Sequence, residues 1–155
     1  MATVRLEISA TPAHVRTARL VATAVARRSG VDDAALDEIR LAVGEACSRA
    51  VGLHRDHAPA ELVSLIMEDE GRFTVTVVDM APVGAEAADV DPLDLVDGVE
   101  GALLPIPEGA ADLLPTGFGL AVIGGLVDDL VISPAKEGPG TRVQMSWPLR
   151  SGRRR

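Results

Sequence analysis

The segment from Asp37 to His54 constrains the fold of this chain more than any other part of the sequence. Its apolar residues recur at the spacing of an α-helix, and Asp37 and Glu38 lie in the first turn, where the helix dipole favours negative charge. The apolar positions cover a broad face: Ile39, Leu41, Ala42, Val43, Ala46, Ala50, Val51 and Leu53. The pattern therefore predicts a helix with a broad buried face.

Two charged residues, Glu45 and Arg49, lie four positions apart on this predicted helix. Their side chains project from one face, about a turn from each other. Taken alone, the spacing predicts a solvated ion pair that contributes about 0.2–0.5 kcal/mol to stability.

The length of 155 residues predicts one domain over residues 1–149, followed by a basic tail over residues 150–155. The single cysteine, Cys47, excludes an internal disulfide framework, and its helical setting predicts a buried, inert thiol in a reducing compartment. No apolar run reaches the length that spans a bilayer, and the sequence does not open on a signal-peptide pattern. We expect a cytoplasmic protein that does not enter the membrane.

The charge of the chain argues against direct binding to nucleic acid. Acidic residues number 23 against 15 basic ones, which gives a net charge of -8, whereas phosphate binding needs clustered Lys and Arg. The span from Phe73 to Ala135 holds eleven acidic residues and no Lys or Arg. The few basic residues of the tail do not reverse this balance.

Local patterns predict the element order β-α-α-β-β-loop-α-β-β. Helices that cluster in sequence and strands that form hairpins favour an α+β two-layer sandwich, with a mixed, mostly antiparallel sheet and the helices on one face. Pro12 after Thr11 indicates the start of the first helix, and Asp32 or Asp33 can cap the second. The other predicted elements are a first strand Thr3–Ser9, strands Leu62–Met67 and Phe73–Val78, a third helix Phe118–Asp129, and strands Leu130–Ser133 and Thr141–Trp147.

A long acidic segment over residues 81–116 interrupts these elements. A loop of this length inside a compact domain is typical of either a functional lid or a disordered segment, and the sequence leaves both open. His54 and His57, near the end of the second helix, are typical of surface residues or of partners for the helix dipole. We therefore predict no metal site.

Three blocks of sequence, in this order, resemble the anti-sigma-factor serine kinases of bacterial partner-switching systems, small relatives of histidine kinase ATPase domains. The first, similar to the N-box helix of that family, comprises Leu41, Ala42, Val43, Glu45, Ala46, Ala50 and His54. The second resembles the start of the G1 block and comprises Val77, Val78 and Asp79. The third resembles the G2 block and comprises Thr116, Gly117, Phe118, Gly119 and Leu120, with Ile123, Leu126, Val127 and Asp128 beyond. The resemblance covers nearly the whole chain and implies a Bergerat-like ATP-binding fold.

The resemblance implies a role for each matching position. Glu45 would be the general base that activates a water or a substrate serine. Asp79 would accept a hydrogen bond from the adenine amino group, and Ser48 would add a hydroxyl near the nucleotide. Arg19, on the first helix, matches a position through which relatives bind their protein partners. Gly117 and Gly119 would let the backbone approach the phosphates, and the remaining cofactor-binding candidates are Arg49, Gly84, Thr116 and Leu120.

The sequence departs from the family pattern at three places. Arg49 stands where the family has an asparagine that binds Mg²⁺, and a guanidinium does not ligate a metal cation. After Asp79 the family continues with glycines, whereas this chain has Ala81 and Pro82. The presumed lid contains no Lys or Arg to pair with a triphosphate. We expect Arg49 to pair with Glu45 or with a carboxylate of the lid, which would fill the site.

The resemblance and its departures together predict a regulatory protein that binds a sigma factor, an anti-anti-sigma (STAS) protein, or both. ATP binding and serine kinase activity would be weakened or lost, and Mg²⁺ in its usual geometry is doubtful. One alternative is an active Mg-ATP-dependent kinase that phosphorylates a serine of the STAS partner, with Arg49 contacting phosphate directly. A second is a nucleotide-independent interaction module, and a third is an unrelated α+β domain. Because relatives form homodimers, a dimer is also expected.

Overall fold

The computed structural model describes residues 2–82, 123–124, 127, 129–136 and 138–150. Within these ranges the chain forms two helices and five strands. In chain order they are β1 (Thr3–Ile8), α1 (Pro12–Ser29), α2 (Asp33–His57), β2 (Val63–Glu68), β3 (Arg72–Val78), β4 (Asp129–Pro134) and β5 (Thr141–Pro148).

The five strands form one sheet in the order β1-β2-β3-β5-β4, and all four pairings are antiparallel. The register aligns the apolar residues of neighbouring strands, as in the row Leu65, Val77 and Val143. One face of the sheet is therefore continuous and apolar, since successive side chains of a strand point to opposite faces. Its buried members are Ile8, Val63, Leu65, Met67, Phe73, Val75, Val77, Val143, Met145 and Trp147.

The two helices pack against each other and on the apolar face of the sheet. The buried stripe of α1 consists mainly of small residues, Ala18, Ala22 and Ala26, which allow the helices to approach closely. Trp147 of β5 donates its indole N–H to Glu38 Oε1 of α2 at 2.9 Å. The predicted α+β architecture, with helices on an antiparallel sheet, is confirmed.

The ends of the helices follow from local chemistry. Asp32 caps α2 by accepting a hydrogen bond from the Ala34 N–H at 3.2 Å, which decides between the two predicted caps. Gly30 ends α1 with φ 92° and donates its N–H to the carbonyls of Ala26 and Arg27. Thr11 is the N-cap of α1 and Pro12 its first residue, as predicted, although the Thr11 side chain makes no capping hydrogen bond.

The predicted third helix is represented by Ile123 and Gly124, which are helical, and most of it lies outside the described residues. Its predicted end at Asp129 is wrong because Asp129 opens β4, where it faces Ser146 and its carboxylate binds the Arg72 guanidinium. The acidic segment lies outside the described residues from residue 83 onward. Of the predicted tail, Arg150 is described and donates its N–H to the Gly30 carbonyl at 2.8 Å. Neither described helix is apolar enough over its length to cross a membrane.

Candidate functional site

Polar side chains of α2 are enclosed where the helix meets the end of β3. Glu45 is 2% exposed, Arg49 is 3% exposed and His54 is fully buried, and Asp79, directly after β3, is 2% exposed. The prediction that Glu45 and Arg49 are solvated is therefore wrong. Burying a charge is costly unless it is paired and hydrogen-bonded, so the partners of these groups define the site.

Arg49 forms a buried ion pair with Asp79. Its Nη1 lies 3.0 Å from Asp79 Oδ2, and Asp79 Oδ1 accepts a hydrogen bond from the Ala81 N–H at 3.1 Å. Both carboxylate oxygens are thus engaged within the protein. The sequence predicts Glu45 or an acidic residue of the lid as the partner of Arg49, and it did not predict this pair with the carboxylate at the end of β3.

Each backbone N–H from Asp79 to Ala81 is hydrogen-bonded within the protein. The Asp79 N–H binds the Thr141 carbonyl at 3.0 Å, and the Met80 N–H binds His54 Nε2 at 2.8 Å. The Ala81 N–H binds the Asp79 side chain as described above, and Pro82 has no N–H. Four consecutive residues therefore present no backbone donor to a ligand.

Gly140 allows this segment to lie close to the loop before β5. Its φ is +133°, and a Cβ built on it would lie 2.0 Å from the Asp79 carbonyl oxygen. Only glycine combines this backbone conformation with this close approach. Gly140 directly precedes the predicted last strand, and the sequence did not predict its contact with Asp79.

His54 is buried, although the sequence favoured a surface position for it. Its Nδ1 lies 2.9 Å from the Glu61 carbonyl oxygen, and its Nε2 faces the Met80 N–H. The helical spacing contained a usable signal, because Val43, Cys47 and Ala50 precede His54 on the same buried face. His57, three residues later, is exposed as expected.

Arg19, on α1, lies at the contact between the two helices. Its aliphatic carbons cross Gly44, where a Cβ would lie 2.7 Å from Arg19 Cδ. The positive charge of Arg19 acts to lower the pKa of the Cys47 thiol, but burial dominates and raises that pKa to about 12. Cys47 is therefore the inert, buried thiol that the sequence predicts.

The structure brings some of the predicted site residues together and does not describe others. Arg49 and Asp79 are in contact, Glu45 lies one helical turn before Arg49, and Ser48 is half-buried on the same helix. Five candidates lie outside the described residues: Gly84, Thr116, Gly117, Gly119 and Leu120. Among the described residues, no group of three His, Cys, Asp or Glu side chains is arranged to hold a metal ion.

Comparison with known proteins assigns this fold and site to a family. The family model described as the histidine kinase-like ATPase domain matches residues 8–147, which include both helices, strands β2 to β4, nearly all of β5 and the Arg49–Asp79 pair. A search of curated proteins found no match. The extent of the family match shows that the chain belongs to the histidine kinase-like ATPase domain family.

Proposed function

We propose that this chain is a regulatory protein of the anti-sigma-factor type, in which ATP binding and serine kinase activity are weakened or lost. It binds a sigma factor, a STAS-domain anti-anti-sigma protein, or both. The family assignment supports descent from an ATP-binding domain. The sequence resemblance to serine kinases of partner-switching systems supports the class of partner.

The Arg49–Asp79 ion pair carries the part of the proposal that concerns ATP. The resemblance gives Asp79 the role of adenine acceptor and gives position 49 the role of metal ligand. In this chain the two side chains bind each other at 3.0 Å, and each is almost fully buried. A nucleotide that used Asp79 would compete with the Arg49 guanidinium for a carboxylate that is 2% exposed, and displacing the guanidinium would leave its charge in a protein interior, which is costly.

The same reasoning argues against Mg²⁺ in the described part of the site. A guanidinium stays protonated in proteins and has no lone pair for a metal. Its positive charge would also repel a divalent cation at short range. The described residues therefore do not fit a Mg²⁺-bound nucleotide in the family's usual geometry, and Glu45, if it acted as a base, would lack the metal beside it.

The backbone beyond Asp79 gives independent support. A ligand near this turn would find no backbone N–H available from residues 79–82, because each donor present is already bound within the protein. Ligands that approach a backbone closely usually exploit such donors or the small size of glycine. Ala81 is 3% exposed, so its methyl group fills space that glycine would leave open.

Helix α1 supports the part of the proposal that concerns a protein partner. It carries four arginines, Arg16, Arg19, Arg27 and Arg28, and no acidic residue, in a chain of net charge -8. Leu20, beside Arg19, is 61% exposed. A basic helix with an exposed apolar side chain is a surface that favours an acidic protein partner by electrostatic complementarity. Arg19 is the partner-binding residue that the resemblance predicts.

The proposal is tested by titrating the protein with sigma factors and STAS proteins encoded in the same genome, using isothermal titration calorimetry. We expect at least one to bind, and Arg19→Glu to weaken that complex much more than Arg28→Glu. Arg28→Glu is the matched control because it makes the same charge change at the end of the same helix. Binding by none of these candidates would contradict the partner assignment.

A kinase assay on the same mixtures tests the second part of the proposal. Purified protein, the bound STAS partner and γ-labelled ATP with Mg²⁺ are incubated together, and label in the partner is measured. We expect no incorporation above that of a Glu45→Gln variant. Robust labelling of a partner serine that depends on Glu45 would establish the active kinase instead.

A further inference from the structure

His54 is a buried ionisable side chain that the proposed function does not use. It lies near the C-terminal end of α2, five residues after Arg49, and no part of it is exposed. Both of its ring nitrogens contact backbone groups from other parts of the chain. A buried imidazole with two such partners links the segments that they belong to.

The two partners determine which ring nitrogen carries the proton. The Glu61 carbonyl is only an acceptor, so Nδ1, at 2.9 Å, must donate to it. The Met80 N–H is only a donor, so Nε2, at 2.8 Å, must accept from it. The ring is therefore neutral and in the Nδ1–H tautomer.

We infer that His54 is the positioning residue that holds the turn after β3 so that Asp79 faces Arg49. This inference rests on the proposed function in taking the Arg49–Asp79 pair as the feature that closes the site. Met80 follows Asp79 directly, and the bond to its N–H fixes the peptide that joins the two residues. Asp79 is then held from both sides, by Thr141 through its own N–H and by His54 through the next one.

The bond from Nδ1 to Glu61 orients the ring for this purpose. Glu61 lies in the connection between α2 and β2, and its own N–H binds the Ala58 carbonyl. The imidazole therefore spans from that connection to the turn after β3. A side chain that kept only the donor or only the acceptor would hold one of these segments and release the other.

Three substitutions separate the two hydrogen bonds. His54→Gln can retain an acceptor for the Met80 N–H, His54→Asn can retain a donor for the Glu61 carbonyl, and His54→Leu retains neither. The readout is amide hydrogen exchange of Met80 by ¹⁵N NMR, with the Val75 amide in the middle of β3 as an internal reference for global unfolding. Ring ¹⁵N spectra of the wild-type protein report the tautomer directly.

We expect the wild-type ring to show the Nδ1–H tautomer. Met80 exchange should accelerate roughly tenfold relative to Val75 in His54→Leu and His54→Asn, as loss of one buried hydrogen bond implies, and His54→Gln should restore most of the protection. Equal Met80 protection in all variants, or an Nε2–H tautomer in the wild-type protein, would overturn the inference. The tautomer measurement decides the question even if the Leu variant does not fold.

Adding ATP to the same wild-type sample distinguishes failure of this inference from failure of the proposed function. ATP-dependent shifts around Asp79 would contradict the loss of nucleotide binding but would leave the tautomer and the Met80 result intact. Equal Met80 protection in the wild-type protein and all His54 variants, with no ATP binding, would contradict only the role of His54.

Discussion

At the scale of single residues, Arg49 stands at the position where the sequence resemblance implies a metal-binding asparagine. The guanidinium lies against Asp79 in a region where each side chain is at most 3% exposed. A buried pair of this kind loses hydration on both partners, and the attraction between them offsets that loss. The Arg49 side chain therefore occupies the Asp79 carboxylate at the end of β3. It also lacks the metal-ligating oxygen that the sequence resemblance implies at this position.

The first prediction concerns the energetic coupling of this pair. Arg49→Met leaves the Asp79 carboxylate buried without its cation, so we expect the free energy of unfolding to fall by about 3–5 kcal/mol. Adding Asp79→Asn removes the second charge and keeps an acceptor for the Ala81 N–H, so the double variant should recover more than half of the loss. Urea unfolding followed by Trp147 fluorescence measures both values. A double variant no more stable than Arg49→Met alone would contradict the coupling.

The second prediction concerns the pH dependence of stability that arises from Cys47. Burial raises the pKa of this thiol from 9.0 to about 12, so the folded protein retains the proton over a range in which the unfolded chain releases it. The contribution of the protonated Cys47 thiol to the free energy of unfolding is fully present below pH 9 and is lost as pH rises toward 12. Relative to Cys47→Ala, the free energy of unfolding should fall by roughly 1 kcal/mol per pH unit above pH 9.

Urea unfolding of both proteins at pH 7, 9 and 10 measures this difference. Thiol alkylation at pH 8 provides a second check, since the native thiol should react only as fast as the protein unfolds. A parallel pH profile for the two proteins, or rapid alkylation of the native state, would contradict the burial of Cys47.

At the scale of elements, α2 places the polar residues of the site and the loop before β5 fixes the segment that they contact. The broad apolar face of α2 buries Ile39, Val43 and Ala50 against the sheet. This packing places Glu45, Arg49 and His54 toward the end of β3. Gly140 lets the chain before β5 lie against the Asp79 carbonyl. The ion pair therefore depends on how α2, β3 and β5 pack as well as on its two residues.

The third prediction tests this packing through two glycines. In Gly140→Ala the new Cβ would lie 2.0 Å from the Asp79 carbonyl oxygen, so the backbone must move. We expect the free energy of unfolding to fall by more than about 3 kcal/mol. Gly71→Ala is the matched control, since Gly71 has φ +73° but no atom within 4 Å of the added Cβ. That variant should lose only about 1–2 kcal/mol, the cost of the left-handed conformation.

Urea unfolding of the two variants measures the comparison, and the Asp79 amide resonance reports whether the turn has moved. Similar losses for the two substitutions would show that the contact with Asp79 is not what requires glycine at position 140.

At the scale of the whole molecule, most of the architecture was predictable because its signals are local. Alternation identified the strands of the two hairpins, and helical spacing with Asp32 and Gly30 located the two helices. Short connections explain the antiparallel β2–β3 and β4–β5 pairs, whereas the β1–β2 and β3–β5 pairs join strands that are distant in sequence, and the order of the strands was not predicted. The predicted third helix extended too far, since Val127 is not helical and Asp129 opens β4, where its carboxylate binds Arg72 across the sheet, a contact that no local pattern reveals.

The site was less predictable because its contacts join residues that are distant in sequence. Arg49 and Asp79 are 30 positions apart, and their pairing depends on where β3 ends relative to α2. A glutamate four residues away offered a simpler local partner for Arg49, and a histidine near a helix end is usually exposed. Tertiary packing buries both Arg49 and His54, and burial of a polar residue depends on the partners that such packing supplies.

The central claim is that the Arg49–Asp79 pair closes the nucleotide site, and calorimetric unfolding tests it most directly. The midpoint temperature of thermal unfolding is measured for the full chain without ligand, with millimolar ATP, and with millimolar ATP and Mg²⁺. A ligand that binds the native state must raise the midpoint by linkage. The account predicts the same midpoint in all three conditions, and a rise with ATP, above all one that requires Mg²⁺, would contradict it.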